Sequence, residues 1–114
     1  MQGTIMAAFL IASIGLKSLD WVSQYTLMVP PIVRSHGGRY LASSGGPPAV
    51  VETVEGTSIP PDGFAIITFP SIDAIKSFLA DSRYEPFKQA RRDGSTSDFW
   101  AFENDDDALQ FRDQ

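Results

Sequence analysis

The segment RSHGGRYLASSGG, residues 34–46, holds the chain's single histidine, His36, followed by a Gly-Gly pair, an arginine and a tyrosine. An imidazole that titrates near pH 6.5 takes or gives a proton at neutral pH, so His36 is the first candidate for general acid or base work. Arg39 carries a planar fork of donors that can clamp a carboxylate or an enolate. Plainer readings stand beside both. In the last turn of a helix His36 would stabilise terminal carbonyls and close the turn before Gly37. Arg39 would pair with Glu52 or Glu55 on a neighbouring strand.

Trp21, Tyr25 and Tyr84 are amphipathic aromatics able to line an apolar ligand site while an N–H or O–H orients the ligand. At helical spacing such rings belong more often to the core. Arg91 and Arg92 fall at a helix C-terminus, where the dipole alone stabilises cations, and holding an acidic substrate is their second reading. Tyr40 and Glu55 complete the candidate ligand-binding set. Alternation along a strand sends Arg39 and Tyr40 to opposite faces, so one pocket would not take both.

Other chemistries find little support. With one histidine and no cysteine the chain offers no zinc set and no thiol nucleophile, and NDDDALQ lacks the spacing and glycine of an EF-hand loop. A haem would have only His36 as an imidazole ligand. No Ser-His-Asp spacing or phosphate loop is recognisable, because HGGRY and SSGGPP lack the lysine and the strand-loop-helix context. We expect neither metal nor cofactor.

The elements that must position these residues follow from pattern and length. A chain of 114 residues fits one domain, and the absence of cysteine suits a reducing cytoplasm. The net charge of -5 is concentrated at the end, where residues 103–114 hold five acids and one base. We therefore separate a domain, 1–103, from an acidic tail, 104–114. A nearly neutral body argues against nucleic acid, which needs concentrated Lys and Arg. The apolar run 5–16 has no basic residue before it and is shorter than the ~18 residues of a spanning helix, so no membrane segment is expected.

TIMAAFLIASI, residues 4–14, is apolar at odd and even positions and reads as a strand buried on both faces. Ser18 opens a helix in which Val22, Tyr25, Val29, Ile32 and His36 share one stripe, provided the phase survives a break or kink expected near Met28 to Pro31. Gly37 ends it as a left-handed cap. Residues 39–43 form a strand, and residues 49–55 either a further strand or its continuation. FAIITF, residues 64–69, is again apolar on both faces. Ser71 caps a helix with the stripe Ile72, Ile75, Phe78 and Leu79, and a shorter helix runs over about 83–92. The last strand spans 97–103.

Strand, helix, strand, strand, helix, strand is the split βαβ order of an α+β, ferredoxin-like βαββαβ sandwich. Its helices cover one face of the sheet. The apolar residues on the other face need a cover, and a second copy across a two-fold axis is the commonest. A homodimer packed sheet to sheet is expected.

VPPIVRSHGGRYL, VVETVEG, PPDGFAIITFPSIDAIKSF and RYEPFKQARRDG, in that order, resemble the domain of unknown function DUF1330 over residues 5–103. The resemblance implies a member of the dimeric α/β barrel superfamily, in which two ferredoxin-like sheets join. Matching motif positions are His36, Gly37, Gly38, Arg39, Tyr40, Glu55, Gly56, Pro70, Ser71 and Tyr84. The acidic tail, the SSGGPP turn and Gly63, where relatives often carry a basic residue, depart from the pattern. Superfamily members include cofactor-free monooxygenases, polyketide cyclases, isomerases and haem-handling enzymes, so the resemblance implies fold more than reaction. It also implies a pocket between sheet and helices, into which His36 would look. The expectation is a cofactor-free dimeric enzyme that isomerises, cyclises or eliminates next to the carbonyl of an apolar metabolite, as in polyketide tailoring, with His36 as acid/base and Arg39 as anion stabiliser. The alternative is a non-catalytic dimer that binds a small molecule or serves assembly.

Overall fold

The computed structural model describes residues 7–45 and 50–105. Strand β1 (Ala8–Leu16) leads to helix α1 (Val22–Ser35), then to strands β2 (Arg39–Ser43) and β3 (Gly63–Phe69). Helices α2 (Ile72–Leu79) and α3 (Glu85–Gly94) follow, and α3 runs straight into β4 (Ser95–Glu103). The sheet order is β2-β3-β1-β4, with every neighbouring pair antiparallel. This is the expected α+β, ferredoxin-like arrangement, with both long apolar strands at the centre.

Strand alternation sorts the residues into two faces. Ala8, Leu10 and Ala12 of β1 stand beside Phe69, Ile67 and Ala65 of β3, under the helices. There Leu10, Ile67 and Phe69 meet Val29 and Val33 of α1, Ile75 and Phe78 of α2, and Tyr84, all buried. Each large side chain buried in this layer contributes roughly 1.5–3 kcal/mol. Phe9, Ile11, Ile66, Trp100 and Phe102 point to the other face, where Trp100 and Phe102 remain 55% and 51% exposed.

The helix ends show which local signals the chain obeys. The Ser71 hydroxyl accepts from the Ala74 amide at 3.0 Å, the expected N-cap of α2. At the end of α1 the Gly37 amide donates to the Arg34 carbonyl (2.9 Å) and the Gly38 amide to the Val33 carbonyl (3.0 Å), a Schellman closure with Gly37 at φ +80°. Each glycine of the pair has its own reason. Gly37 supplies the left-handed turn, and a Cβ on Gly38 would lie 2.5 Å from Val33 Cγ1 and 2.8 Å from the Phe69 ring.

Three local expectations are corrected. α1 does not break at Pro30 but carries Pro30 and Pro31 inside one helix. The prolines remove the amides that would bond the carbonyls of Thr26 and Leu27, yet buried Val29, Ile32 and Val33 hold the following turns on the sheet. α1 starts at Val22 rather than at Ser18, whose hydroxyl instead accepts from the Asp20 amide at 3.1 Å in a turn. Finally, residues 50–55 form no strand, and Val50 and Val54 are 80% and 90% exposed. Residues 4–6, 46–49 and 106–114, which include parts of the first strand, the SSGGPP turn and most of the acidic tail, lie outside the described residues. Among the described residues no helix is long and apolar enough to cross a membrane.

Candidate functional site

The β1–α1 and α3–β4 connections meet at one backbone atom. The Gly94 carbonyl accepts from the Lys17 amide (2.9 Å), the Ser18 amide (3.1 Å) and the Trp21 indole N–H (3.1 Å). A Cβ on Gly94 would lie 2.2 Å from Trp21 Cδ1, so the indole seats only on a glycine. Trp21 then packs edge-on to Tyr25, with ring centroids 5.2 Å apart, at the start of α1.

This start of α1 roofs a cavity of about 460 Å³ whose floor is the helix-facing side of the sheet. Trp21, Val22, Tyr25, Thr26 and Pro30 come from α1, Ala12 and Ile14 from β1, Tyr40 and Ser43 from β2, Ala65 and Ile67 from β3, Phe78 from α2 and Phe99 from β4. The volume suits a small-molecule ligand and the lining is largely apolar. The cavity lies under α1 only as far as Pro30, because Val33, Phe69 and Phe78 pack the space under the last turns.

Polar groups reach it in a line. The Tyr25 and Tyr84 hydroxyls are 2.5 Å apart, and Arg91 Nε donates to the Tyr84 hydroxyl across a long 3.4 Å. Tyr84, fully buried, stacks on Phe78 with centroids 4.4 Å apart. Arg91 is 6% exposed; it donates to the Ser97 hydroxyl and lies 4.2 Å over the Phe99 ring. Burial first, and then Tyr84, pushes the Tyr25 phenol well above the ordinary tyrosine range. Burial and Tyr84 likewise push Tyr40 up to about 12. At neutral pH both hydroxyls therefore keep their protons. If Tyr84 accepts from Arg91 and donates to Tyr25, the Tyr25 proton is left for a ligand oxygen in the cavity.

His36 is elsewhere. It does not line the cavity but sits behind the Phe78 ring, at 6.2 Å between centroids, with Nε2 2.7 Å from an Asp81 carboxylate oxygen. Arg83 closes the same carboxylate with its Nη2 at 2.7 Å and its amide at 2.8 Å, and it also donates to Ser35. The side-chain bonds from Arg83, then from His36, hold Asp81 well below the ordinary carboxylate range. The expectation that His36 looks into the pocket is thus corrected: its helix face points inward, but it lies one turn past the packed end of the cavity. Arg39 pairs in register with Thr68 and stands on the open face, whereas Tyr40 pairs with Ile67 and lines the cavity. Glu55 is exposed on the β2–β3 connection.

Trp21, Tyr25, Tyr40, Tyr84 and Arg91 are therefore brought together, and His36, Arg39 and Glu55 are not. Sequence reasoning missed Asp81, Ser97 and Phe99. Asp81 precedes a helix and accepts from the Arg83 amide two residues on, an Asx turn legible in the sequence as a cap but not as a partner of His36. Among the described residues no three His, Asp or Glu side chains are grouped as metal ligands.

The family model of the domain of unknown function DUF1330 matches residues 7–105. No curated protein matches the sequence. Among solved structures, RPA0582, a protein of unknown function from Rhodopseudomonas palustris, is 12% identical with a TM-score of 0.70, over 89% of this chain and 84% of that one. SnoaB, a cofactor-independent oxygenase from Streptomyces nogalater, is 13% identical with a TM-score of 0.56, over 90% and 95%. A conserved Bacteroides thetaiotaomicron protein of unknown function, described as a possible oxidoreductase, is 9% identical with a TM-score of 0.60, over 89% and 100%. At these identities the likeness is one of fold.

Proposed function

We propose that this chain, which belongs to the DUF1330 family, is a homodimeric cytoplasmic protein that takes an apolar, carbonyl-bearing metabolite into the cavity under α1 and polarises its oxygen through Tyr25. The observation that carries this reading is the chain of donors from Arg91 through Tyr84 to Tyr25, ending in a cavity of about 460 Å³ with a largely apolar lining. A hydrogen bond delivered from a cation-backed relay strengthens as charge develops on the ligand oxygen, so it favours an enolate over the carbonyl. Isomerisation, cyclisation and elimination beside a carbonyl all pass through such charge. SnoaB, a cofactor-independent oxygenase of the same fold, shows that chemistry without a cofactor has been built on this framework. That likeness supports the reading by analogy alone.

A purely binding role is favoured by one observation. The cavity's tyrosine hydroxyls are donors at neutral pH, and the only imidazole lies outside its lining, held by Asp81. The enzyme reading therefore takes its base from the ligand, from water, or from His36 acting past Phe78.

The dimer is proposed from the open face. Phe9, Ile11, Ile66, Trp100 and Phe102 form one apolar surface, and a second copy placed sheet to sheet would cover it and close a barrel.

The test compares wild type with Tyr25→Phe against a metabolite mixture followed by mass spectrometry, after both are shown to be folded. Conversion of an apolar carbonyl compound by wild type and not by Tyr25→Phe supports the enzyme. Retention without conversion, weakened in Tyr25→Phe, supports the binding protein. Retention of no apolar compound by wild type overturns both.

A further inference from the structure

A second, smaller cleft of about 270 Å³ opens between α3 and β4 and shares Phe99 with the large cavity. It is lined by Leu79, Lys88, Arg91, Arg92, Ser97 and Phe99. Three of these six side chains are cationic, in a chain whose net charge is -5. Arg91 and Arg92 have no carboxylate partner among the described residues, and Lys88 shares Glu85 at 3.1 Å while donating to the Leu79 carbonyl at 2.9 Å.

Arg91 is the unusual member. A guanidinium on a residue only 6% exposed should be paired, because removing a charge from water without a counter-charge is costly. Here its compensation is a tyrosine hydroxyl, a serine hydroxyl and the face of Phe99. Two of its three nitrogens are used in this way. No buried side-chain nitrogen or oxygen among the described residues lacks a partner, so the third nitrogen is not sealed in and Arg91 reaches the cleft it lines. Arg92 beside it adds a second planar fork, suited to a carboxylate or phosphate. Leu79 and Phe99 supply an apolar wall that an inorganic ion would not use.

We propose that this cleft binds a small organic carboxylate, whose oxygens are held by Arg91, Arg92 and Lys88 and whose carbon part rests on Leu79 and Phe99. The site shares Arg91 with the relay to Tyr25 and Phe99 with the large cavity, but it needs no ligand in that cavity. It supplies Arg91 with the counter-charge that the described fold does not.

The full chain titrated with benzoate, followed residue by residue in amide NMR spectra, tests this. Saturable shifts at Ser97, Phe99 and the end of α3 are expected, with affinity weakened about tenfold in Arg92→Gln, the loss of one charge-assisted hydrogen bond. Lys88→Gln should weaken it too, and Lys76→Gln, on a different helix, should not. Inorganic phosphate in a competing titration separates the sources of the anion. Displacement of benzoate means that the cationic groups dominate and any oxyanion serves, and no displacement means that the apolar wall selects a carboxylate. No saturable shift overturns the proposal. So does benzoate binding unchanged in Arg92→Gln and Lys88→Gln but altered in Tyr25→Phe, which would place benzoate in the large cavity.

Discussion

The Tyr25 and Tyr84 hydroxyls stand 2.5 Å apart although 59 residues separate them along the chain. One comes from the first half of α1 and the other from the residue before α3, and their meeting joins the cavity to buried Arg91.

Tyr84→Phe removes the central member of this line. Arg91 Nε and the Tyr25 hydroxyl then lose their partner, and each unsatisfied buried group costs about 1–3 kcal/mol. Chemical denaturation should show a loss of about 2–6 kcal/mol for the two together. Tyr25→Phe leaves Tyr84 its contact with Arg91, so it should cost less stability while removing the cavity's innermost donor. An equal cost for both variants would mean that the relay has no direction.

Gly94→Ala is expected to unseat Trp21. The added carbon would fall 2.2 Å from the indole, so the ring must move or α3 must shift. Overpacking of this kind costs about 1–3 kcal/mol. The mouth of the cavity should loosen with it. Tryptophan fluorescence in a Trp100→Phe background, which isolates Trp21, would report the change as a red shift.

Asp81 gives the fold an acid-sensitive clasp. Its carboxyl is held below the ordinary range by Arg83 first and His36 second, so the folded chain binds this proton less readily than the unfolded chain. The stabilisation is complete above an unfolded pKa of about 4 and is lost as pH falls through the lower folded value. Asp81→Asn should lower the melting midpoint at pH 7, and the gap to wild type should narrow below pH 4. A gap independent of pH would show that the carboxylate's charge is not what holds Ser35, His36 and Arg83 together.

Trp100→Asp places a charge in the open apolar face. Light scattering should give twice the chain mass for wild type and the chain mass for the variant. A wild type that is monomeric at micromolar concentration would sink the sheet-to-sheet dimer. It would leave Trp100 and Phe102 as uncovered surface.

The order of elements, the two apolar central strands, the Ser71 cap and the Gly37 turn were legible in the chain, because each depends on period or on chemistry within a few residues. So were Trp21, Tyr25 and Tyr40 of the cavity lining, and Tyr84 behind Tyr25, as residue types suited to a ligand site. Which of the candidates share a site was not. His36 lies on the expected face of α1, yet Val33, Phe69 and Phe78 fill the space beneath its turn, and Asp81, 45 residues away, takes its ring nitrogen. Arg39 and Tyr40 were known to point apart, but only the pairing of β2 with β3 decides which one meets the cavity. Local sequence determines faces and caps through short-range geometry. The meeting of Tyr25, Tyr84 and Arg91 depends on sheet register and helix packing, which join residues that no local pattern relates.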